Sequence, residues 1–104
     1  MTLLSLSVNV DSVKRFKDKD TERVFQGLPV RRLPADIQRR ARMRVQRVIA
    51  AAALSDLRLP PSHRLEALSG NRKGRHSIHI NDQWRVCFRW TDRGAIEIEI
   101  IDYH

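Results

Sequence analysis

Hydrophobic positions along this chain change period partway. From Pro34 to Ala53, Ile37, Ala41, Val45, Val48, Ile49 and Ala52 recur every three or four residues, which predicts an amphipathic helix with one apolar stripe. Pro34 suits its first turn and Asp36 complements its dipole there. A shorter helix is expected over Asp18 to Gln26, with Asp18 or Asp20 as N-cap, Val24 and Phe25 as apolar contacts and Gly27 as the stop. After Gly74 the period falls to two. His76, Ile78 and Ile80 alternate with Arg75, Ser77 and His79; Trp84, Val86, Phe88 and Trp90 with Arg85, Cys87 and Arg89; Ile96, Ile98 and Ile100 with Glu97 and Glu99. Turns at Asn81-Asp82-Gln83 and Asp92-Arg93-Gly94 separate these runs, so they predict an antiparallel meander with one face on the helices and one partly open.

The remaining stretches fill in around that frame. Leu54 to His63, with two successive prolines, reads as a loop, Arg64 to Leu68 as a short strand, and Ser69 to Gly74 as a polar, glycine-bounded turn. Ser12 to Phe16 alternates weakly and is expected to be the first strand, so the domain is taken as 12–104 with a leader at 1–11. The fold class is α+β: two N-terminal helices packed on a twisted, mainly antiparallel sheet.

With 104 residues there is room for a single core. The charge changes the picture more: 20 Lys and Arg against 12 Asp and Glu leave a net +8, and sixteen of the cations are Arg, the side chain suited to planar, bidentate phosphate contacts. A nucleic-acid partner is therefore expected ahead of a merely soluble basic surface or an acidic protein. Arg39, Arg40, Arg42, Arg44 and Arg47 crowd the outer side of the long helix, where they serve either an RNA or simple solvation; Arg39 and Arg40 are taken as candidate RNA contacts. Arg72 and Lys73 lie in the polar turn, whose backbone amides also suit a phosphate, although the spacing is not that of a P-loop. The lone Cys87 excludes an intramolecular disulfide, and the start has neither the basic region of a signal peptide nor the length of a membrane span. A cytoplasmic protein with no membrane partner is the expectation.

Candidate chemistry gathers at the far end of the last strand, in Asp102, Tyr103 and His104, with Arg75, His79, Arg85 and Arg89 on the open face. Glu97 and Glu99 are available as cross-strand partners, and Arg89 is expected to be held in such a pair. RNA cleavage by the ribose 2′-hydroxyl needs a base, an acid for the 5′-oxygen and fixed positive charge on the phosphate, but no metal or cofactor. Asp102 and His104 can move the protons, Tyr103 can hydrogen-bond or stack, and Arg85 or Arg72 can hold the phosphate. His63, His76 and His79 have no metal-ligand spacing, and no metal is expected.

The runs Arg64-Leu65-Glu66-Ala67-Leu68-Ser69-Gly70-Asn71-Arg72, His76-Ser77-Ile78, Asn81-Asp82-Gln83-Trp84-Arg85-Val86-Cys87-Phe88 and Ile101-Asp102-Tyr103-His104 resemble the HigB toxins of the RelE/ParE superfamily. The likeness is dense from Leu59 onward and looser back to Phe16. It implies a RelE-like fold and a toxin that cleaves mRNA in the A site of the 70S ribosome without metal. It also implies silencing by a HigA-type helix-turn-helix antitoxin, through which alone operator DNA would be bound. On this likeness Asp102, Tyr103, His104 and Arg85 are the functional set; Glu66 joins the catalytic candidates as a carboxylate able to act as a base or to accept from an arginine, and Arg72, Lys73, Arg75, Arg39 and Arg40 are candidate RNA contacts by their charge. Glu66 and Ser69 stand where some members carry a catalytic histidine and, three positions on, a lysine. The alternatives are a ParE-like inhibitor of DNA gyrase and a non-catalytic RNA-binding module.

Overall fold

The computed structural model describes residues 15–103, so the leader and His104 lie outside the described residues. Two helices, α1 (Lys19–Phe25) and α2 (Ala35–Ala50), precede a sheet of β1 (Glu66–Ala67), β2 (Arg75–His79), β3 (Trp84–Thr91) and β4 (Gly94–Asp102). The strands are antiparallel and lie in chain order. This is the expected α+β arrangement of helices against an antiparallel sheet.

Local chemistry sets the helix ends. Asp18 caps α1, its Oδ1 accepting the Thr21 amide at 2.6 Å, and Gly27 leaves the helix at φ 83°. The second helix stops three residues short of the expected Ala53. Asp56 Oδ2 accepts the amides of both Ala52 and Ala53 at 3.0 Å, drawing the backbone out of the helix into a 3₁₀ turn over Leu54–Arg58. A second 3₁₀ turn, Pro61–His63, follows, so the expected loop is two tight turns, and the expected strand at 64–68 shrinks to Glu66–Ala67.

One core joins the layers. Val24 of α1, Ile37, Ala41, Val45 and Val48 of α2, and Ile78, Val86, Phe88, Ile98 and Ile100 of the sheet are all buried within it. The Gln38 side chain bridges the connector by donating to the carbonyls of Val30 and Leu33 and accepting the Val30 amide. Thr21, fully buried, accepts the Ile100 amide on its Oγ1 at 3.0 Å and so ties α1 to β4. Beside it, Phe16 bridges Ile98 in parallel: Lys17 donates to the Ile98 carbonyl at 2.8 Å and Ile98 to that of Arg15 at 2.9 Å. The expected first strand is thus a single bridge at Phe16, with 12–14 outside the described residues.

The alternation expected of the last strand is broken. Cys87 pairs with Glu99, but Arg89 pairs with Ile96, so two residues of β4 oppose Phe88 alone. Glu97 takes the left-handed conformation this bulge needs, at φ 52°. Ala95, not Ile96, therefore joins Ile98 and Ile100 in the core. Ile96 crosses to the side of Arg89, which makes no ion pair among the described residues. The expected Arg89–glutamate pair is absent for that reason.

Candidate active site

On the sheet face away from the helices, the register aligns His79, Arg85 and Ile101, with Ser77, Cys87 and Glu99 one step along. This face was expected to be partly open, yet Arg85 is 7% exposed and Cys87 not at all. Burial pushes the Cys87 thiol up to about 11, against the nearby Arg72, Arg85 and Arg75, so it remains a thiol and packs as a small apolar group.

Arg85 is anchored at several points on this face. Its Nε donates to Ser77 Oγ at 2.8 Å, and its Nη2 donates to the Arg64 carbonyl at 2.8 Å and lies 3.3 Å from Glu66 Oε1. The guanidinium carbon stands 5.3 Å from the centroid of the Tyr103 ring. Arg64 takes the left-handed conformation at φ 47° as it leaves the second 3₁₀ turn. That backbone reversal turns its carbonyl toward Arg85. Two hydrogen bonds and an ion pair, made from Nε and Nη2, hold the planar group in one orientation, as stabilising a charge that develops on a phosphate requires.

The turn between β2 and β3 positions the end of β4. Asn81 Oδ1 accepts the amides of Gln83 at 2.9 Å and Trp84 at 2.8 Å, closing a tight turn. Gln83 then holds both expected site residues beyond it: its carbonyl accepts the Tyr103 amide at 2.5 Å and its Nε2 donates to Asp102 Oδ2 at 3.1 Å. Asp102 pairs in register with Trp84, on the helix side of the sheet, while Tyr103 turns to Arg85. The structure thus gathers Arg85, Glu66 and Tyr103 and sets Asp102 at the same end of the sheet on the other face. His104 lies outside the described residues.

Around this cluster the histidine His79 is held neutral. Burial lowers its pKa, Arg64 and Arg85 lower it further, and Asp82, 3.6 Å from its Nε2, works in the opposite direction. Sequence reading missed two of Arg85's partners. The Ser77 hydroxyl carries a faint signal, a polar residue in the middle of a strand directly beside the arginine's strand; a backbone carbonyl such as that of Arg64 carries none.

The expected RNA contacts divide. Arg72 and Lys73 are exposed at the 3₁₀ turn Gly70–Arg72, open to a ligand, and Arg39 is exposed on α2. Arg40 donates from Nη1 to the Ile80 carbonyl at 3.4 Å. Arg75 is engaged in a short ion pair with Glu97, and its Nη1 is buried without a hydrogen-bond partner among the described residues. Much of the arginine face of α2 is likewise used internally: Arg42 donates to the Phe25 carbonyl, Arg44 to that of His79 and Arg47 to that of Leu59. Among the described residues no three His, Cys, Asp or Glu side chains are grouped to hold a metal ion, and no helix is long and apolar enough to cross a membrane.

Two helices packed on a four-stranded antiparallel sheet are the arrangement of a RelE-like toxin, and residues 14–104 match the family model for the RelE-like toxin HigB of type II toxin-antitoxin systems. The chain belongs to that family. It is 42% identical over 82 residues to Toxin HigB-1 of Vibrio cholerae serotype O1, covering 78% of this chain and 86% of that one. It is 28% identical over 92 residues to Endoribonuclease HigB of Proteus vulgaris, covering 88% of this chain and 99% of that one.

Proposed function

We propose that this toxin is an endoribonuclease that cleaves mRNA in the ribosomal A site and is neutralised by a HigA-type antitoxin. The observation that carries the reading is the anchored Arg85 with Glu66 at 3.3 Å and Tyr103 beneath it. Arg85 holds the scissile phosphate and stabilises the charge that accumulates on it during in-line attack. Glu66, half exposed and in contact with Arg85, takes the 2′-proton once the phosphate has displaced it from the guanidinium. Asp102, on the other face at the same strand end, and His104 supply the proton to the departing 5′-oxygen, and Tyr103 stacks on a base or donates to the phosphate. Arg72 and Lys73 track the RNA backbone, and Arg39, Arg40 and Arg75 add positive field. Because the nucleophile belongs to the RNA, the residues named suffice without a metal. A carboxylate base also accounts for Glu66 standing where some HigB toxins carry histidine. The name of the Proteus vulgaris relative supports the activity.

The decisive experiment maps mRNA ends by primer extension, in cells and on purified ribosomes carrying a defined message, for wild type, Glu66→Gln and His104→Ala. Wild type should leave defined ends only on translated message, and each variant should cut about 10²-fold more slowly, the usual worth of one acid or base. Supercoiling defects without mRNA fragments would instead mark a gyrase inhibitor, and full activity in both variants would refute these assignments.

A further inference from the structure

Between the two 3₁₀ turns and the edge strand β1 lies a cleft of about 590 Å³. Leu54, Pro61, Leu65 and Ala67 give it apolar walls, and the exposed Arg58 and Arg64 line it as well. The backbone of β1 faces it in a defined way. Leu68 donates its amide to the Arg75 carbonyl at 2.8 Å, so the pair Leu68/Arg75 is hydrogen-bonded, as is Glu66/Ser77 two residues back. Ala67, opposite His76, is the intervening pair without such bonds. Its N–H and C=O, and by the same alternation those of Leu65, point away from the sheet. The two residues that turn their backbone outward are the same two that line the cleft.

We propose that this edge is where the toxin's antitoxin docks: an extended, acidic segment of that protein adds to β1 as a fifth strand. Its main chain pairs with Leu65 and Ala67, its apolar side chains enter the cleft, and its carboxylates meet Arg58 and Arg64. Family membership supplies the antitoxin, and a net charge of +8 favours an acidic one. A row of outward backbone groups beside apolar walls suits a peptide strand, whereas RNA would gain little from either. The added strand lies against Arg64, whose carbonyl holds Arg85. It therefore covers the site from the side, without any antitoxin residue entering it. The inference rests on the family alone and stands whatever Arg85 does to RNA.

Amide exchange measured by NMR on the whole toxin, free and saturated with its purified cognate antitoxin, tests this directly. Exchange at Leu65 and Ala67 should slow by at least about tenfold in the complex, as new backbone bonds require. Arg58→Glu, at an exposed residue outside the catalytic cluster, should weaken antitoxin binding roughly tenfold while leaving cleavage unchanged. Unaltered exchange at Leu65 and Ala67 in the saturated complex overturns the proposal, and undiminished affinity of R58E overturns the acidic character of the strand. Slowing in the toxin alone as its concentration rises would give the edge to a second copy. Slowing with a short RNA but not with antitoxin would give it to the message. Either result also overturns it.

Discussion

Arg85 illustrates how a side chain is fixed in one orientation by what surrounds it. A lysine could keep the charge but not the fork that reaches Ser77, Arg64 and Glu66 together. Arg85→Lys should therefore lower cleavage about 10²-fold and cost about 1–2 kcal/mol of stability through the unpaired Ser77 hydroxyl and Arg64 carbonyl, read from single-turnover rates and urea midpoints. His63 carries a different signal. It is 1% exposed, and its Nδ1 lies 3.2 Å from the Leu57 carbonyl. Burial lowers its pKa below 6.5, the Leu57 bond opposes this, and Arg44 and Arg47 add to the lowering. The unfolded chain thus takes up the proton more readily than the folded one. Stability is full above 6.5 and is lost as pH falls from there toward the depressed folded value. Urea midpoints should consequently drop between about pH 7 and pH 5, and His63→Gln should flatten part of that drop. At this scale the sequence pointed to Arg85 through family likeness, while its anchors stayed hidden, because carbonyl directions depend on backbone conformation that no residue type announces.

Elements were far more legible. The change of period from three-and-four to two marked α2 and the three long strands, and Asp18 and Gly27 marked the ends of α1. Illegible were the events set by one side chain's choice of backbone partner or by cross-strand register. Asp56 ends α2 early, and a bulge at Glu97 reassigns Ile96. The arginines of α2 are the clearest case, since an arginine that solvates a helix and one that fastens it look alike in sequence. Arg44 donates from Nε to the His79 carbonyl at 2.9 Å, from a half-buried position. Arg44→Gln should destabilise the fold by about 1 kcal/mol, whereas Arg39→Gln should change it by less than about 0.5 kcal/mol and act only on RNA affinity. Thermal unfolding and filter binding separate the two effects. At the bulge, Glu97→Val places a β-branched residue at a left-handed φ and removes the partner of Arg75, and should cost about 2 kcal/mol in equilibrium unfolding.

For the whole molecule, charge and edges matter most. With +8 overall, the proposed binding to ribosomes should weaken roughly tenfold or more between about 0.05 and 0.2 M salt, measured by sedimentation. A slope that disappears in the Arg72→Gln, Lys73→Gln double variant would locate the main RNA contacts in that turn.

The two edges of the sheet are unlike each other. Along β4, the bonds from Arg15, Lys17 and Thr21 occupy Ile98 and Ile100, so the middle of that edge is already covered by the protein's own chain. Edge-to-edge growth needs two receptive sides on every copy, one to give and one to receive. With only β1 receptive among the described residues, any strand-to-strand association terminates after one addition. Growth into fibres, which has to use both edges of every copy, is closed off at β4.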